Sequence, residues 1–235
     1  NKNNIIKNRP VIYTACFDNY DRIRLTAQND DFLHLVFTDQ VSSGFENPEG
    51  LIVVKTKNKA LDGKRTSLWY KTHPHYYFEG CPFTFWIDSN IKFSKDFYGI
   101  LSTVAKFTEI ASFKHPERNC LFEEADIVKQ KHLDFTADIE KAKQWANLAG
   151  LQPNMGLFET NGVLSIPDDK FVQLFYNKWW ERIYLASRRD QLSFTAVSEF
   201  IGLPITQLLG NLCTKNSSFF DVYNHSKPRG QFEIN

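Results

Sequence analysis

The sequence predicts an α/β protein whose sheet is of the parallel, nucleotide-binding kind. Three observations support this class. Residues 83–91 form an apolar, aromatic run that ends in a polar Asp-Ser-Asn tip, as expected of a buried inner strand. Three short apolar runs come earlier, and each ends in polar residues. Long stretches with helical periodicity dominate the second half of the chain.

In the first half we expect three strands, a helix and then the inner strand. The strands are predicted at 11–17, 32–38 and 51–56, and the helix at 66–78. Pro74 should kink this helix or end it early, because proline lacks the backbone donor that a helix interior needs. Ligands of open α/β sheets bind beyond the carboxyl ends of the strands, so the polar tip at 88–90 is the first place to look for a site.

In the second half we expect mostly helices. They are predicted at 95–106, 121–133 and 138–149, with a strand at 109–113. The segment 156–166 has the character of a strand, and Asn161-Gly162 within it is a hairpin signal.

Two further helices are predicted near the end. Asp168 or Asp169 should cap the first, whose apolar stripe is Phe171, Leu174, Phe175, Trp179, Ile183 and Ala186. The second begins at 188–191, runs to about residue 201 and is broken by Gly202-Leu203-Pro204.

The composition favours one domain and excludes several classes. A chain of 235 residues with 42% hydrophobic residues suits a single domain over 1–235, with a nucleotide-binding half at about 10–120 and an acceptor-side half at about 121–235. The net charge of +1 gives no indication of nucleic acid binding. Four widely spaced cysteines and no apolar run of roughly 18 residues favour a cytoplasmic protein without a membrane span. Peripheral attachment to a membrane stays an open alternative.

The polar tip supplies the first candidate site. Asp88 offers a carboxylate and Asn90, two residues on, offers a carbonyl oxygen on the same side of an extended chain. Hard cations such as Mn²⁺ or Mg²⁺ are often held by one or two carboxylates together with phosphates. The alternative is that Asp88 only ends the strand and begins a turn.

Basic residues supply the second and third candidates. Arg65 and Lys71 precede the inner strand and could meet a diphosphate, the first as a fork and the second as a point charge. Near the end of the chain, His225 could complete a metal site and Lys227 could hold phosphate oxygens. Solvated surface charges and a loose terminus are the alternatives.

Acidic residues supply the remaining candidates. Two roles are open for Asp190: it caps a helix, or at the lip of a cleft it binds a sugar hydroxyl or stabilises charge at a reacting carbon. A fifth cluster comprises His115, Glu117, Arg118, Glu123 and Glu124. The phosphate-binding loop, dinucleotide, zincin and hydrolase-elbow motifs are all missing from the sequence, which weakens those classes.

Six segments carry a resemblance to a known family. They are VIYTACFDNYD (11–21), VFTD (36–39), WIDSNI (86–91), HPER (115–118), FEEA (122–125) and SRRDQLSF (187–194). In this order they resemble a family of glycosyltransferases found in bacterial capsule and lipopolysaccharide gene clusters and in plant proteins linked to cell-wall mucilage. The family was long catalogued as a domain of unknown function. The likeness spans about residues 11–195.

The resemblance implies a GT-A fold, with a Rossmann-like half for a nucleotide-sugar and a second half for the acceptor. It implies that Thr14, Ala15 and Tyr20 line the nucleoside pocket and that Asp39 faces the base or ribose. Asp88, Ser89 and Asn90 would stand where such enzymes carry a D-x-D metal motif, here with Asn in place of the second Asp.

A looser likeness to retaining GT-A enzymes concerns the second half. It implies that Asp190 and Gln191 act in catalysis and that the tail from His225 to Lys227 binds the diphosphate. An inverting enzyme would instead need a carboxylate base, for which Glu123, Glu124 and Glu159 are candidates.

We therefore expect a glycosyltransferase dependent on Mn²⁺ or Mg²⁺. Its donor would be a nucleotide-sugar, with UDP as the expected nucleotide, and its acceptor a saccharide or lipid-linked glycan. Two other classes stay open: a metal-dependent hydrolase with its metal on the acids of 115–126, and a carbohydrate-binding domain that does not react.

Overall fold

The computed structural model describes residues 8–24, 29–40, 51–56 and 60–226. Seven strands form one sheet in the order β3-β2-β1-β4-β7-β6-β8, and β5 and β9 form a two-stranded sheet beside it. The strands are β1 (Val11–Cys16), β2 (Leu33–Thr38), β3 (Leu51–Lys55), β4 (Thr84–Ile87), β5 (Ile91–Phe93), β6 (Ile110–Lys114), β7 (Phe158–Ser165), β8 (Thr206–Gln207) and β9 (Phe220–Val222).

Seven helices accompany these strands in the described part of the chain. They are α1 (Gly63–Thr72), α2 (Pro74–Tyr77), α3 (Phe97–Val104), α4 (Leu121–Gln130), α5 (Thr136–Leu148), α6 (Lys170–Leu185) and α7 (Gln191–Ile201). The predicted interruption at Pro74 is confirmed, because α1 ends at Thr72 and Pro74 begins the single turn of α2.

The predicted α/β class is confirmed. β3, β2, β1 and β4 run parallel, and β7 lies antiparallel between β4 and β6. All four residues of β4 are buried, so the inner strand stands where the sequence predicts it. The carboxyl ends of β1, β2 and β4 therefore meet at one edge of the sheet, and the tip 88–90 follows directly from this edge.

The two faces of the sheet carry separate apolar cores. Along β4, Trp86 packs into the core that includes Trp179 and Phe194, whereas Phe85 packs into the core that includes Phe97 and Phe113. This division follows from the alternation of side chains along a strand. Helices α6 and α7 therefore cover one face of the sheet, while α3 covers the other.

The predicted hairpin at Asn161-Gly162 is wrong, because β7 continues through both residues as a single strand. The pairing of β7 with β6 shifts register between Ser112 and Phe113. A Cβ atom at Gly162 would lie 2.4 Å from Cε2 of Phe113 and 3.2 Å from Cζ of Phe85. The glycine is therefore required by close packing in an irregular strand, not by a turn.

The predicted stripe of the long helix is wrong in part. Asp169 caps α6, since its Oδ1 accepts from the backbone nitrogens of residues 171 and 172. Trp179 and Ile183 are buried as predicted, but Phe171 and Leu174 are 61% and 50% exposed. The helix is amphipathic, with large apolar residues left on its outer face.

Within residues 8–24, 29–40, 51–56 and 60–226, no helix has the length and apolar character needed to cross a bilayer.

Candidate functional site

A cleft of about 540 Å³ opens at the carboxyl edge of the sheet. Its walls come from the segment after β1, from α1, from the turn after β4, from the loop after β6 and from the start of α7. The returning segment that holds β9 closes one side, because Tyr223 donates its backbone nitrogen to the carbonyl oxygen of Asn90 at 3.0 Å. Both halves of the chain thus contribute to one concave site.

Asp88 faces this cleft from the end of β4. Its side chain is 37% exposed, and Oδ1 accepts a hydrogen bond of 2.8 Å from the indole nitrogen of Trp86. The carbonyl oxygen of Asp88 also accepts from the backbone nitrogen of Ile91, which closes the turn 88–91. Asp88 therefore does form a turn, and its carboxylate faces open space as well.

A buried ion pair lies next to Asp88. Lys71 Nζ is 2.6 Å from Asp190 Oδ2 and 3.9 Å from Asp88 Oδ1, and the lysine side chain is only 3% exposed. The ammonium also lies 5.4 Å from the ring of Trp86 and 5.5 Å from that of Trp179, within reach of cation–π attraction. The pair joins α1 to the start of α7 across the floor of the cleft.

Asp190 occupies the N-cap position of α7 without capping it through its side chain. Burial by itself would raise the pKa of Asp190, but the ammonium groups of Lys71 and Lys64 outweigh it and hold that pKa well below its usual range. Trp179 also holds Asp190 in place by donating its indole N–H to the Asp190 backbone carbonyl oxygen at 2.9 Å. Asp190 is therefore an ionised carboxylate held rigidly at the cleft.

Two further cations, Lys64 and Arg189, line the same part of the cleft. Lys64 is exposed on α1 but projects between the walls of the cleft. Desolvation by these walls lowers the pKa of its ammonium, and the charges of Arg189 and Lys71 lower it further. The carboxylates of Asp190 and Asp88 oppose the shift. Among the described residues, neither Lys64 nor Arg189 has a carboxylate within ion-pair distance.

The turn that carries Arg189 and Asp190 is held by a buried acid, Asp134. Its Oδ2 accepts from Ser187 Oγ and from the backbone nitrogen of Arg188, both at 2.7 Å. Arg188 lies 3.6 Å from Asp134 and 3.6 Å from Asp62, the N-cap residue of α1. The helix that carries Lys64 and the turn that carries Asp190 are thereby tied together.

Gln191 and Glu159 also line the cleft. Gln191 donates its amide nitrogen to the Phe158 carbonyl oxygen at 2.8 Å. Glu159 Oε2 accepts from the backbone nitrogen of Thr214 at 3.4 Å and from its hydroxyl at 3.2 Å. Burial raises the pKa of Glu159 despite these two hydrogen bonds, so its carboxyl binds a proton more readily than an ordinary glutamate.

Two of the acids of 115–126 are paired with a guanidinium. Arg118 Nε donates to Glu124 Oε2 at 2.6 Å, and its Nη1 donates to Glu117 Oε2 at 3.0 Å. Glu123 is exposed and does not line the cleft. No observation here favours the hydrolase alternative, which needed these carboxylates for a metal.

The predicted nucleoside residues divide into two groups. Ala15 and Tyr20 line the cleft, and the ring of Tyr20 lies 5.2 Å from that of His225. Thr14 is buried in β1 below the cleft, and Asp39 accepts from the backbone nitrogen of Asp18 at 3.1 Å, outside the cleft lining.

The predicted phosphate residues also divide. Lys71, Asp88 and Ser89 line the cleft, whereas Arg65 turns away from it and pairs with Asp62 at 3.1 Å. Lys227 lies outside the described residues. Lys64, next to Arg65, is not among the residues predicted from the sequence, and no role was predicted for Arg189. A helical period of seven residues between Lys64 and Lys71 puts both on one face of α1, and this spacing could have found them.

The three predicted metal ligands, Asp88, Asn90 and His225, all line the cleft, but each already has a protein partner. Asn90 donates its amide nitrogen to the Tyr223 carbonyl oxygen at 2.7 Å, and His225 Nδ1 lies 2.8 Å from Asp21 Oδ2. Asp88 faces the ammonium of Lys71. Across the described part of the chain, no group of three or more His, Cys, Asp or Glu side chains is placed to hold a metal ion. The hydrogen bonds of Asn90 and His225 use Nδ2 and Nδ1, not Oδ1 and Nε2, but Asp88 is the only carboxylate of the three and it faces an ammonium, so this donor set fits a divalent cation poorly.

Three comparisons bear on the family. The model of the TOD1/MUCI70 glycosyltransferase-like domain matches residues 1–225. A search of curated proteins finds no match. Among solved structures, the apo structure of the bifunctional glycosyltransferase WbbM has a TM-score of 0.49 and 10% identity, and the alignment covers 86% of this chain and 38% of that one. The family model alone spans enough of the chain to assign a family.

Proposed function

Because the chain belongs to the TOD1/MUCI70 glycosyltransferase-like family, we propose that it transfers a sugar from a nucleoside-diphosphate sugar to a saccharide or lipid-linked glycan acceptor. Family membership supports the glycosyltransferase class. UDP as the nucleotide and the nature of the acceptor are parts of this proposal.

The observation that carries the proposal is the meeting of the β4 tip with Lys64, Lys71, Arg189 and Asp190 in one cleft. A nucleoside diphosphate is a poor leaving group unless its developing charge is neutralised, and preorganised cations do this at low cost. The nucleoside would lie toward Ala15 and Tyr20, where the strand ends meet, with the diphosphate against the turn 88–91.

The reacting sugar would then project from the diphosphate toward the acceptor side of the cleft. Bond breaking at the anomeric carbon develops positive charge on the sugar, and the ionised carboxylate of Asp190 is placed to stabilise it. The buried Lys71 keeps this carboxylate in position through the bond of 2.6 Å. The cleft would hold donor and acceptor next to each other, so binding would supply much of the entropic part of the activation barrier.

We propose retention at the anomeric carbon. Asp190 and Gln191 both line the cleft. The amide nitrogen of Gln191 is bonded to the Phe158 carbonyl oxygen, so the side-chain carbonyl oxygen of Gln191 is left to orient the bound substrate. In a retaining reaction the acceptor hydroxyl attacks from the face that the diphosphate leaves, and a phosphate oxygen takes its proton. The inverting alternative would use Glu159 as the base, since its raised pKa suits proton transfer.

The test is a thermal-shift screen with nucleoside diphosphates, followed by donor hydrolysis across a panel of nucleotide-sugars. A ligand that binds only the folded state raises the melting temperature, so UDP or another nucleoside diphosphate should stabilise the protein. Tyr20→Ala should weaken this shift, because the nucleoside would lie toward this ring, whereas Asp126→Ala on the outer face of α4 should leave it unchanged. If no nucleotide shifts the melting temperature and no donor is split, a cleft that binds only carbohydrate becomes the better account.

A further inference from the structure

Five charged side chains converge at the β4 end of the cleft: Lys64, Lys71, Arg189, Asp88 and Asp190. The three cations and two carboxylates of this cluster together carry one net positive charge. Lys71 is already committed to Asp190 at 2.6 Å, whereas Lys64 and Arg189 have no carboxylate partner among the described residues. This arrangement is that of a site prepared for an anion.

We propose that Lys64, Lys71 and Arg189 neutralise the diphosphate of the donor by themselves, so that nucleotide binding requires no divalent cation. This inference rests on the proposed function and replaces the predicted Mn²⁺ or Mg²⁺ dependence with a site made of side-chain cations.

The charge balance supports the proposal. A sugar diphosphate brings about two negative charges, and the net positive charge of the cluster offsets one of them. Lys64 and Arg189 would each contact phosphate oxygens directly. A divalent cation entering the same cluster would raise its net charge to three before any ligand arrives. The carboxylate of Asp88 lies 3.9 Å from the ammonium of Lys71, and this ammonium would repel such a cation.

The geometry of the two unpaired cations also suits an anion. Arg189 has a planar fork of donors that matches phosphate oxygens, and its Nε is buried without a hydrogen-bond partner among the described residues. Lys64 is exposed to the cleft on a flexible stem, so its ammonium can move onto a bound phosphate. A bound phosphate would oppose the lowering of the Lys64 pKa that burial among the cleft walls causes.

A metal at this site would have Asp88 as the only carboxylate among its three predicted ligands. Asn90 and His225, the predicted companions of Asp88, contact Tyr223 and Asp21 and thereby hold the returning segment against the cleft. These bonds engage Asn90 through Nδ2 and His225 through Nδ1, so a cation would have to be held by neutral donors and one carboxylate, which already faces the ammonium of Lys71.

The test is calorimetric titration of UDP into the protein in EDTA and again in excess Mn²⁺. We expect dissociation constants within about threefold of each other. Lys64→Met and Arg189→Met should each weaken UDP binding at least about tenfold in EDTA. Lys129→Met, an exposed lysine on α4 that does not line the cleft, is the matched control and should bind like the wild type.

Two other outcomes are distinguishable. UDP binding that disappears in EDTA and returns with Mn²⁺ would overturn this inference and leave the proposed function standing. Binding of no nucleoside diphosphate under either condition, in protein with an unchanged melting temperature, would overturn both. Normal binding by both methionine variants would show that the diphosphate lies elsewhere and would also reject the inference.

Discussion

The buried pair Lys71–Asp190 gives the most exacting prediction. At an effective dielectric constant of about 20, unit charges 2.6 Å apart attract by roughly 6 kcal/mol and those 3.9 Å apart by roughly 4 kcal/mol. Removing one partner of a buried pair typically costs about 3–5 kcal/mol. Asp190→Asn keeps a hydrogen bond to Lys71, and Asp88 still attracts the ammonium, so we expect a loss of about 2–3 kcal/mol in the free energy of unfolding.

The assay is urea unfolding of Asp190→Asn, Lys71→Met and the double variant. In thermal unfolding, Asp190→Asn should lower the melting temperature of this chain of 235 residues by about 5–10 °C. The double variant should be less destabilised than the sum of the single variants by about 1–2 kcal/mol. Lys129→Met, which breaks an exposed pair with Glu140, is the control and should cost less than about 1 kcal/mol. Additive single effects would refute the reasoning, because they would show that the two charges are not coupled.

The pH dependence of the same variant has a defined sign. The pKa of Asp190 is lower in the folded state than in the unfolded chain, so its stabilisation is present above the unfolded value of about 3.9 and is lost as the pH falls through the folded value. Wild type and Asp190→Asn should therefore differ most near neutral pH and converge in strong acid. A difference that stays constant down to the acid transition would contradict this assignment.

Three further predictions concern residues around the site. Gly162→Ala should destabilise the fold by roughly 1–3 kcal/mol because its Cβ would meet Phe113 at 2.4 Å, whereas Gly99→Ala in α3, with no atom within 4 Å, should be neutral or stabilising in the same melts. The pKa of Glu159 is raised in the folded state, so its contribution to the free energy of unfolding is most favourable below the unfolded pKa and is lost as the pH rises through the folded pKa. The free energy of unfolding of Glu159→Gln should therefore increase relative to that of the wild type from pH 4 to pH 7. A difference between the two proteins that does not change with pH would reject the shift. Asp134→Ala should cost roughly 2–3 kcal/mol and weaken UDP binding, since it frees the turn that carries Arg189 and Asp190; unchanged UDP affinity in titration would show that the turn holds itself.

The sequence was sufficient to predict the inner strand whose tip lines the candidate cleft. The aromatic run before Asp88 has the continuous apolar pattern of an inner strand, and an inner strand delivers its last residues to the ligand edge of an α/β sheet. The position of Asp190 before a helix could also be predicted. Its partner could not, because Lys71 lies 119 residues away in the chain and only the packing of α1 against α6, which in turn packs against α7, brings the two charges together.

Three errors have physical causes of the same kind. Arg65 and Lys64 are neighbours, and only the phase of α1 decides that Lys64 faces the cleft while Arg65 pairs with Asp62. Asn161-Gly162 has the composition of a turn, but Phe113 packs where a side chain at 162 would stand. Phe171 fits the helical stripe by spacing, and the sheet is nevertheless on the other side of α6. Local patterns do not encode which face meets the rest of the fold.

A crystal structure of the protein with UDP in the presence of EDTA tests the central claim most directly. The account predicts the diphosphate in the cleft, against the turn that follows β4, with its oxygens in contact with Lys64 and Arg189 and the uracil toward Tyr20. A nucleotide bound outside this cleft, or a diphosphate turned away from both cations, would contradict it.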